Sequence, residues 1–360
     1  MPAKQKRILT SLYLIVTLFA SPVVYSLNLD PISADHWDEN HAAHLASRAG
    51  FGLLPGEIAA LAAEEPTKAV AYFVDGAAKP NVSAFEHSGI FDEGLDPFPP
   101  SRPATTRLAK EQGHALGINV KPGGNRPIQP IVNKFFYWLR ASRLETDRVS
   151  YWWANRMLTT NHPLQEKMAL FWHGHFATNE DKVRDYRKML KQLELFQEKG
   201  LSNFRELLIA VSQDPAMLAF LDAGVNTKDS PNENFAREIM ELFTMGVGHY
   251  SETDVQEAAR AFTGWNSQNL VFYIDEEQHD SGVKRFLGKE DNFSGTDIID
   301  LILEQPVTAE FIAAKIYRYF VSDQLSESDV KELGALLRDQ DFDIREFMTT
   351  LFLSEDFYSD

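Results

Sequence analysis

The sequence predicts a mainly α-helical protein, one large multi-helix array carrying a small β-hairpin and a long irregular Pro/Gly-rich loop. Three observations carry this. Apolar residues recur at helical spacing through most of the chain after residue 132. Matched start and stop signals punctuate those stretches. Only NLVFYI (269–274) and KRFLG (284–288) read as strands, close enough together to pair as one hairpin.

Taken in order, the first element is an expected export signal. Lys4, Lys6 and Arg7 form a positive start, Ile8 to Ala20 an apolar run, and Val24-Tyr25-Ser26 a small-residue site that places cleavage before Leu27. A retained anchor is the competing reading, but a spanning helix needs about 20 apolar residues and this run stops at Ser21-Pro22. Residues 1–26 are therefore expected to be a signal peptide and 27–360 one α-helical domain of a periplasmic or secreted bacterial protein. No second long apolar stretch follows, so no stable membrane insertion is expected after cleavage.

The chain has no cysteine, which removes disulfides, thiolate metal sites and a cysteine nucleophile. Its net charge is −17, and losing residues 1–26, which hold three basic and no acidic side chains, takes it to −20. Such a surface repels phosphate backbones and anionic lipid, so nucleic acid is not an expected partner.

Residues 36–76 read as helical. Residues 77–131 do not, because eight of the 17 prolines fall between Pro80 and Pro130, each removing a donor and restricting its predecessor. This stretch is an insertion or lid, with RLAKEQGHAL as a short helix inside it. From 132 on, Phe136, Trp138, Leu139, Trp152, Trp153, Met157 and Leu158 recur at helix spacing. HPLQEKMALFWHGHF starts with Pro163 in the first turn. DKVRDYRKMLKQLELFQEKG ends on Gly200, and NFRELLIAVSQDPAMLAFLD breaks at Pro215. In SPNENFAREIMELFTMG, Ser230 is the expected N-cap, Glu233 its capping-box acid and Gly246 the stop. Ser251 with Asp254, and Asp343 with Glu346, repeat the capping pattern, and amphipathic helices complete the chain.

Long blocks of this sequence resemble one known family. HLASRAGFG, LQEKMALFWHGHFATNEDKV, PNENFAREIMELFTMGVGHYSETDVQEAARAFTGW, HDSGVKRFLG and a terminal Pro306, Ala309, Phe311, Lys315 pattern are similar, in order, to the signature blocks of the domain of unknown function 1800 (DUF1800) family. They span roughly residues 40–358. The resemblance implies bacterial export and a sulfatase-like protein encoded nearby as partner. It implies no chemistry.

Candidate chemistry comes from three places. His162, Glu166 and His173 fall within roughly 40° on one helix face. Such a stripe suits a divalent metal or a carboxylate-oriented imidazole, whereas the plainer account makes Glu166 a solvated first-turn acid and the WHGHF histidines core residues. His175 lies opposite if the helix continues and beside His173 if the backbone extends. Asn234, Arg237, Glu238 and Glu241 share a face within about 100°. Buried, that face grips an anion and moves a proton; exposed, it is an ion-pair ladder. His279-Asp280 sits on a loop before a strand, where turn chemistry is the plainer account.

There is no G-x-S-x-G elbow, HExxH helix, c-type haem motif or P-loop, and DQDFDIREF lacks the Gly and Glu of a calcium loop. The expectation is thus a hydrolase-like enzyme with a polar site between helices, built from Glu166, His173, His175, Asn234, Arg237, Glu238 and His279, with a divalent metal as the open cofactor question. The alternative is a non-catalytic periplasmic binding or assembly partner. That alternative predicts an exposed apolar patch near the Pro-rich segment and no enclosed polar pocket. A carbohydrate-binding module would need aligned surface aromatics, yet the helical pattern places most Trp and Tyr on core faces.

Overall fold

The computed structural model of the chain describes residues 27–76, 81, 83–90, 129–268 and 270–359. The expected signal peptide, the RLAKEQGHAL helix and most of the Pro-rich segment lie outside them. Within them the protein is mainly α, with 15 helices and two small two-stranded antiparallel sheets. None of these helices is long and apolar enough to cross a membrane.

Residues 36–76 supply α1 (Glu39–Ala49), α2 (Pro55–Ala62) and α3 (Pro66–Val74). Asp38 caps α1 by accepting from the Asn40 and His41 amides, and prolines open the other two, where the missing N–H has no intrahelical partner to lose. The long helix α4 (Gln129–Thr159) starts at the edge of the Pro-rich segment. Residues 83–90 run along it, held by Trp152 Nε1 to the Ser83 carbonyl at 3.1 Å and Arg148 Nη2 to the Glu86 carbonyl at 2.8 Å. Next come α5 (Pro163–Phe176), α6 (Glu180–Val183), α7 (Tyr186–Lys199), α8 (Phe204–Ser212) and α9 (Pro215–Phe220).

The stretch DKVRDYRKML is two helices, where the apolar pattern predicts one. Arg184 takes a left-handed φ of 57°, and Asp185 caps a new helix through the Arg187 amide. A local cap outcompetes continuation here because Asp185 also binds the Arg187 guanidinium, and the Ser142 hydroxyl accepts from the Tyr186 amide.

The helix α10 (Glu233–Glu241) likewise starts later than its sequence suggests. Its N-cap is Asn232, whose side chain accepts from the Asn234 amide. Ser230 instead pairs with Thr227 in a tight turn, and Asn226 Oδ1 accepts from the Asn232 amide at 2.8 Å. Pro231 is left outside the helix. Ser251 and Asp254 form the expected capping box of α11 (Glu252–Ala261).

Two hairpins replace the single expected one. Val271–Ile274 (β2) pairs with Trp265–Gln268 (β1), and Lys284–Phe286 (β3) with Lys289–Asp291 (β4). Each strand takes its nearest neighbour in sequence, where loop closure costs least. The β3–β4 turn complies: Leu287 and Gly288 both have positive φ, as a two-residue hairpin turn requires. Four helices complete the chain: α12 (Gly295–Leu303), α13 (Pro306–Phe320), α14 (Glu327–Asp339) and α15 (Ile344–Leu353).

Leu164, Met168, Trp172 and Phe176 of α5 are fully buried, which makes this helix the centre of the core. Burying each is worth about 2 kcal/mol. Residues 30–32 are stitched to residues 353–355, Ile32 N–H donating to the Leu353 carbonyl at 2.7 Å and Glu355 N–H to that of Asp30 at 2.8 Å.

Candidate functional site

The buried helix α5 carries three of the seven candidate residues and sends them to different neighbours. Glu166 is fully buried. Its carboxylate accepts from Arg156 Nη2 at 2.6 Å and Nε at 2.9 Å, from Trp153 Nε1 at 2.9 Å and from Gln197 Nε2 at 2.7 Å. Four charge-assisted bonds occupy both oxygens, so the group ties α4, α5 and α7 together. Neither a solvated first-turn acid nor a free base describes it.

His173 packs edge-on against Trp153, ring centres 5.8 Å apart, and burial lowers its pKa. His162, the N-cap of α5, packs its imidazole where a side chain on Gly76 would have to lie. Among the described residues no three His, Asp or Glu side chains converge as a metal site; the carboxylate of the His162–Glu166–His173 stripe is turned to Arg156.

The helix continues through Gly174, so His175 points away from His173. Its Nε2–H donates to the Phe243 carbonyl at 3.1 Å, which leaves Nδ1 to accept from Lys315 Nζ at 3.3 Å. Burial, and secondarily the Lys315 charge, pull the His175 pKa down to about 3. The imidazole is therefore neutral, and burial also lowers Lys315. Lys315 further donates to the Leu242 carbonyl at 3.2 Å and lies over Phe311.

This lysine belongs to a wider arrangement. Arg48 Nε donates to the Phe320 carbonyl at 2.7 Å, and Lys167 Nζ to that of Gly50 at 2.9 Å. Each of the three cations thus neutralises the negative end of a neighbouring helix. Lys167 and Arg48 carried no functional signal in the sequence. They become visible only once those helix ends are brought beside them.

The α10 face is shared between structural ties and solvent. Asn234 Nδ2 donates to the Leu221 carbonyl at 3.1 Å. Arg237 bridges Glu252 at 2.7 Å and Glu233 at 3.1 Å, with a third of its side chain exposed. The Glu252 hydrogen bond holds the guanidinium in its charged form. Burial, and then Glu241, raise the Glu238 pKa. Glu241 accepts from the Tyr250 hydroxyl at 2.6 Å, and burial and that bond push Tyr250 up to about 12.

His279 Nδ1–H donates to the Thr263 carbonyl at 2.8 Å. Its neighbour Asp280 binds Arg260 Nε at 2.8 Å, which lowers the Asp280 pKa. The buried Lys284 Nζ then reaches the carbonyls of Asp280 and Gly282 and the side chain of Asn292. Gly264, at φ 79°, makes room for this loop because a side chain there would meet the Asp275 carbonyl.

No side-chain hydrogen bond or ion pair joins any two of the seven candidates; Glu166 and His173 share only Trp153. A groove of about 570 Å3, open to solvent between α2 and α3, is lined by Leu53, Leu61 and Tyr72 with Glu57, Glu64 and Lys68, none of them a candidate.

The outward face of α4 differs from all of these. Its inner seam runs through Trp138, Ser142, Glu145, Val149 and Arg156, all buried. Opposite, Tyr137 is 53% exposed, Leu144 47%, Tyr151 78% and Leu158 80%. Each follows the last by seven residues on one side of the helix, and at its start the Tyr137 hydroxyl donates to the Ile90 carbonyl at 3.1 Å. The sequence pattern placed most tyrosines inward; these two face out. Phe136 and Leu158, which share the helical spacing of that stretch, are both exposed, because the buried seam lies on another side of the helix.

Residues 44–360 match the family model described as protein of unknown function (DUF1800). No curated protein and no solved structure is similar enough to the chain to count as a match.

Proposed function

The chain belongs to the family described as protein of unknown function (DUF1800), and with no chemistry attached to that family we propose from its geometry a binding or assembly role, acting outside the cytoplasm. The outward face of α4 is the docking surface. One observation carries this: four large apolar side chains at seven-residue spacing stand exposed on the helix that leaves the Pro-rich segment. Scattered exposed apolar residues are ordinary, whereas apolar residues that recur every seven on one side of a helix are what a second helix packs against. A hydrolytic role draws less support, because Glu166, His175, Asn234, Arg237 and His279 are each engaged by structural partners in separate parts of the fold. Export rests on the Lys4–Ser26 segment, and a sulfatase-like protein is one candidate partner.

Photo-crosslinking in an exporting bacterium tests this. A photoreactive residue at Leu144 or Tyr151 should give discrete protein adducts, whereas one at the exposed Glu327 of α14 should not. Stripe positions no richer in adducts than Glu327 would overturn the proposal.

A further inference from the structure

Residues 83–90 are seated between α4 and α7 by contacts of the kind that hold a bound peptide. The segment runs antiparallel to α4. Asn81 Nδ2 donates to the Thr159 carbonyl at 2.9 Å, Trp152 Nε1 to that of Ser83 at 3.1 Å, Arg148 Nη2 to that of Glu86 at 2.8 Å and the Tyr137 hydroxyl to that of Ile90 at 3.1 Å. From Thr159 to Tyr137 the helix rises about 33 Å, which the chain from Asn81 to Ile90 covers only when nearly fully extended. Three of these bonds grip the segment by its own carbonyls, and the Ser88 amide donates to Glu145 at 3.4 Å. Side chains add a ring and a hydroxyl. Phe85 lies edge-on to Trp152, ring centres 5.8 Å apart, with the Arg148 guanidinium over its face at 5.2 Å. Three residues on, the Ser88 hydroxyl donates to Glu145, which Arg148 also holds at 2.9 Å. His87 Nδ1 and the Tyr186 hydroxyl share a further bond of 2.9 Å.

We propose that residues 83–90 are a releasable internal ligand, and that their seat takes in exchange an extended segment of another protein with a phenyl ring three residues before a serine or threonine. The hold is shallow. Seven of the eight residues are exposed and Phe85 alone is buried, so little apolar area offsets the cost of ordering an extended backbone. Segments held in this way open well before the whole fold does. Opening leaves a defined vacancy. Glu145 is 1% exposed; burial works to raise its pKa, but the bonds from Ser88 and Arg148 outweigh it and keep the carboxyl below its ordinary value. Without the strap that buried carboxylate lacks the Ser88 donors, so a replacement must bring an N–H and an O–H together. The backbone grip supplies affinity for any extended chain, and the ring and hydroxyl supply the choice among them. While the strap is seated, apparent affinity falls in proportion to the fraction of time the seat is open. This surface is distinct from the side bearing Leu144, Tyr151 and Leu158, so its failure would leave the docking reading standing.

A fluorescent peptide with the sequence of residues 83–90 (SAFEHSGI), added to the full protein and followed by anisotropy, tests the exchange. Phe85→Ala in the protein weakens the strap but not the seat, and should tighten peptide binding about tenfold or more over wild type. The peptide with its own Phe replaced by Ala should not bind, and adding Glu145→Gln to the Phe85→Ala protein should abolish the gain. Hydrogen exchange on the wild-type protein reads release directly. The Ser88 amide should exchange on the order of a hundredfold faster than the Val149 amide of the buried seam, and excess peptide should speed it further while leaving Val149 unchanged. No tighter binding to a folded Phe85→Ala protein, or binding that survives loss of the peptide's ring, overturns the proposal. So does a Ser88 amide as protected as that of Val149, or one the peptide does not move. Should Phe85→Ala fail to fold, the wild-type exchange result decides.

Discussion

Replacing Glu166 by alanine removes the carboxylate that receives Arg156, Trp153 and Gln197. The Arg156 guanidinium is nine-tenths buried, so the variant leaves a cation and two further donors without their acceptor. Removing one partner of a buried ion pair costs about 3–5 kcal/mol. The stranded Trp153 and Gln197 donors push the total toward the top of that range, at about 1 kcal/mol or more each. A loss of about 5 kcal/mol is a large part of the stability of a typical domain. Urea unfolding followed by tryptophan fluorescence and by far-ultraviolet circular dichroism measures it, with coincident transitions required before a free energy is assigned. Glu166→Gln keeps the shape and part of the hydrogen bonding, and should lose about half as much. Replacing both members, Glu166→Leu with Arg156→Leu, should recover most of the deficit because neither charge is then stranded. A loss under about 1 kcal/mol for Glu166→Ala, or a double variant no better than the single one, would refute a buried pair at this position.

Asp214 caps α9, and burial raises its pKa to about 7, leaving one carboxylate oxygen without a hydrogen-bond partner among the described residues. The native state then keeps a proton that the unfolded chain releases near pH 4, so this group's contribution falls as pH rises from about 4 to 7 and is level above. Asp214→Asn should gain on wild type across that window by a few kcal/mol, read as urea midpoints at pH 4.5 and 8; a pH-independent difference would refute the assignment. Arg237→Ala should cost only about 0.5–1 kcal/mol, since its partners Glu233 and Glu252 are solvent-exposed. A thermal melt showing a loss above 2 kcal/mol would instead point to a buried role for that face.

Most of the helices were legible in the sequence because their signals are local. Pro163, Pro215, Ser251 and Asp343 sit where the chain enters a helix, and each acts within one turn of itself. The misplaced boundaries share a cause: two caps competed, and a tertiary contact decided. Asn226 reaching the Asn232 amide displaced Ser230, and Ser142 reaching the Tyr186 amide helped split the helix at Asp185. Neither contact is visible in the local sequence. The candidate site was less legible. His173 and His175 alternate around α5 as helical geometry requires, but whether an imidazole meets a metal, a carbonyl or a tryptophan depends on helices that arrive from elsewhere.

By itself the sequence determined the mainly helical fold class, most helix ends and the family, because period, caps and signature blocks are properties of neighbouring residues. Only the tertiary structure decided that Glu166 is a buried tie rather than a surface acid, that three cations close three helix ends, and that Tyr137, Leu144, Tyr151 and Leu158 face solvent. A helix with apolar residues on two faces looks the same in sequence whichever face is covered. The packing of α4 against α5, α7 and residues 83–90 buries one seam and leaves Leu144, Tyr151 and Leu158 exposed on the other side.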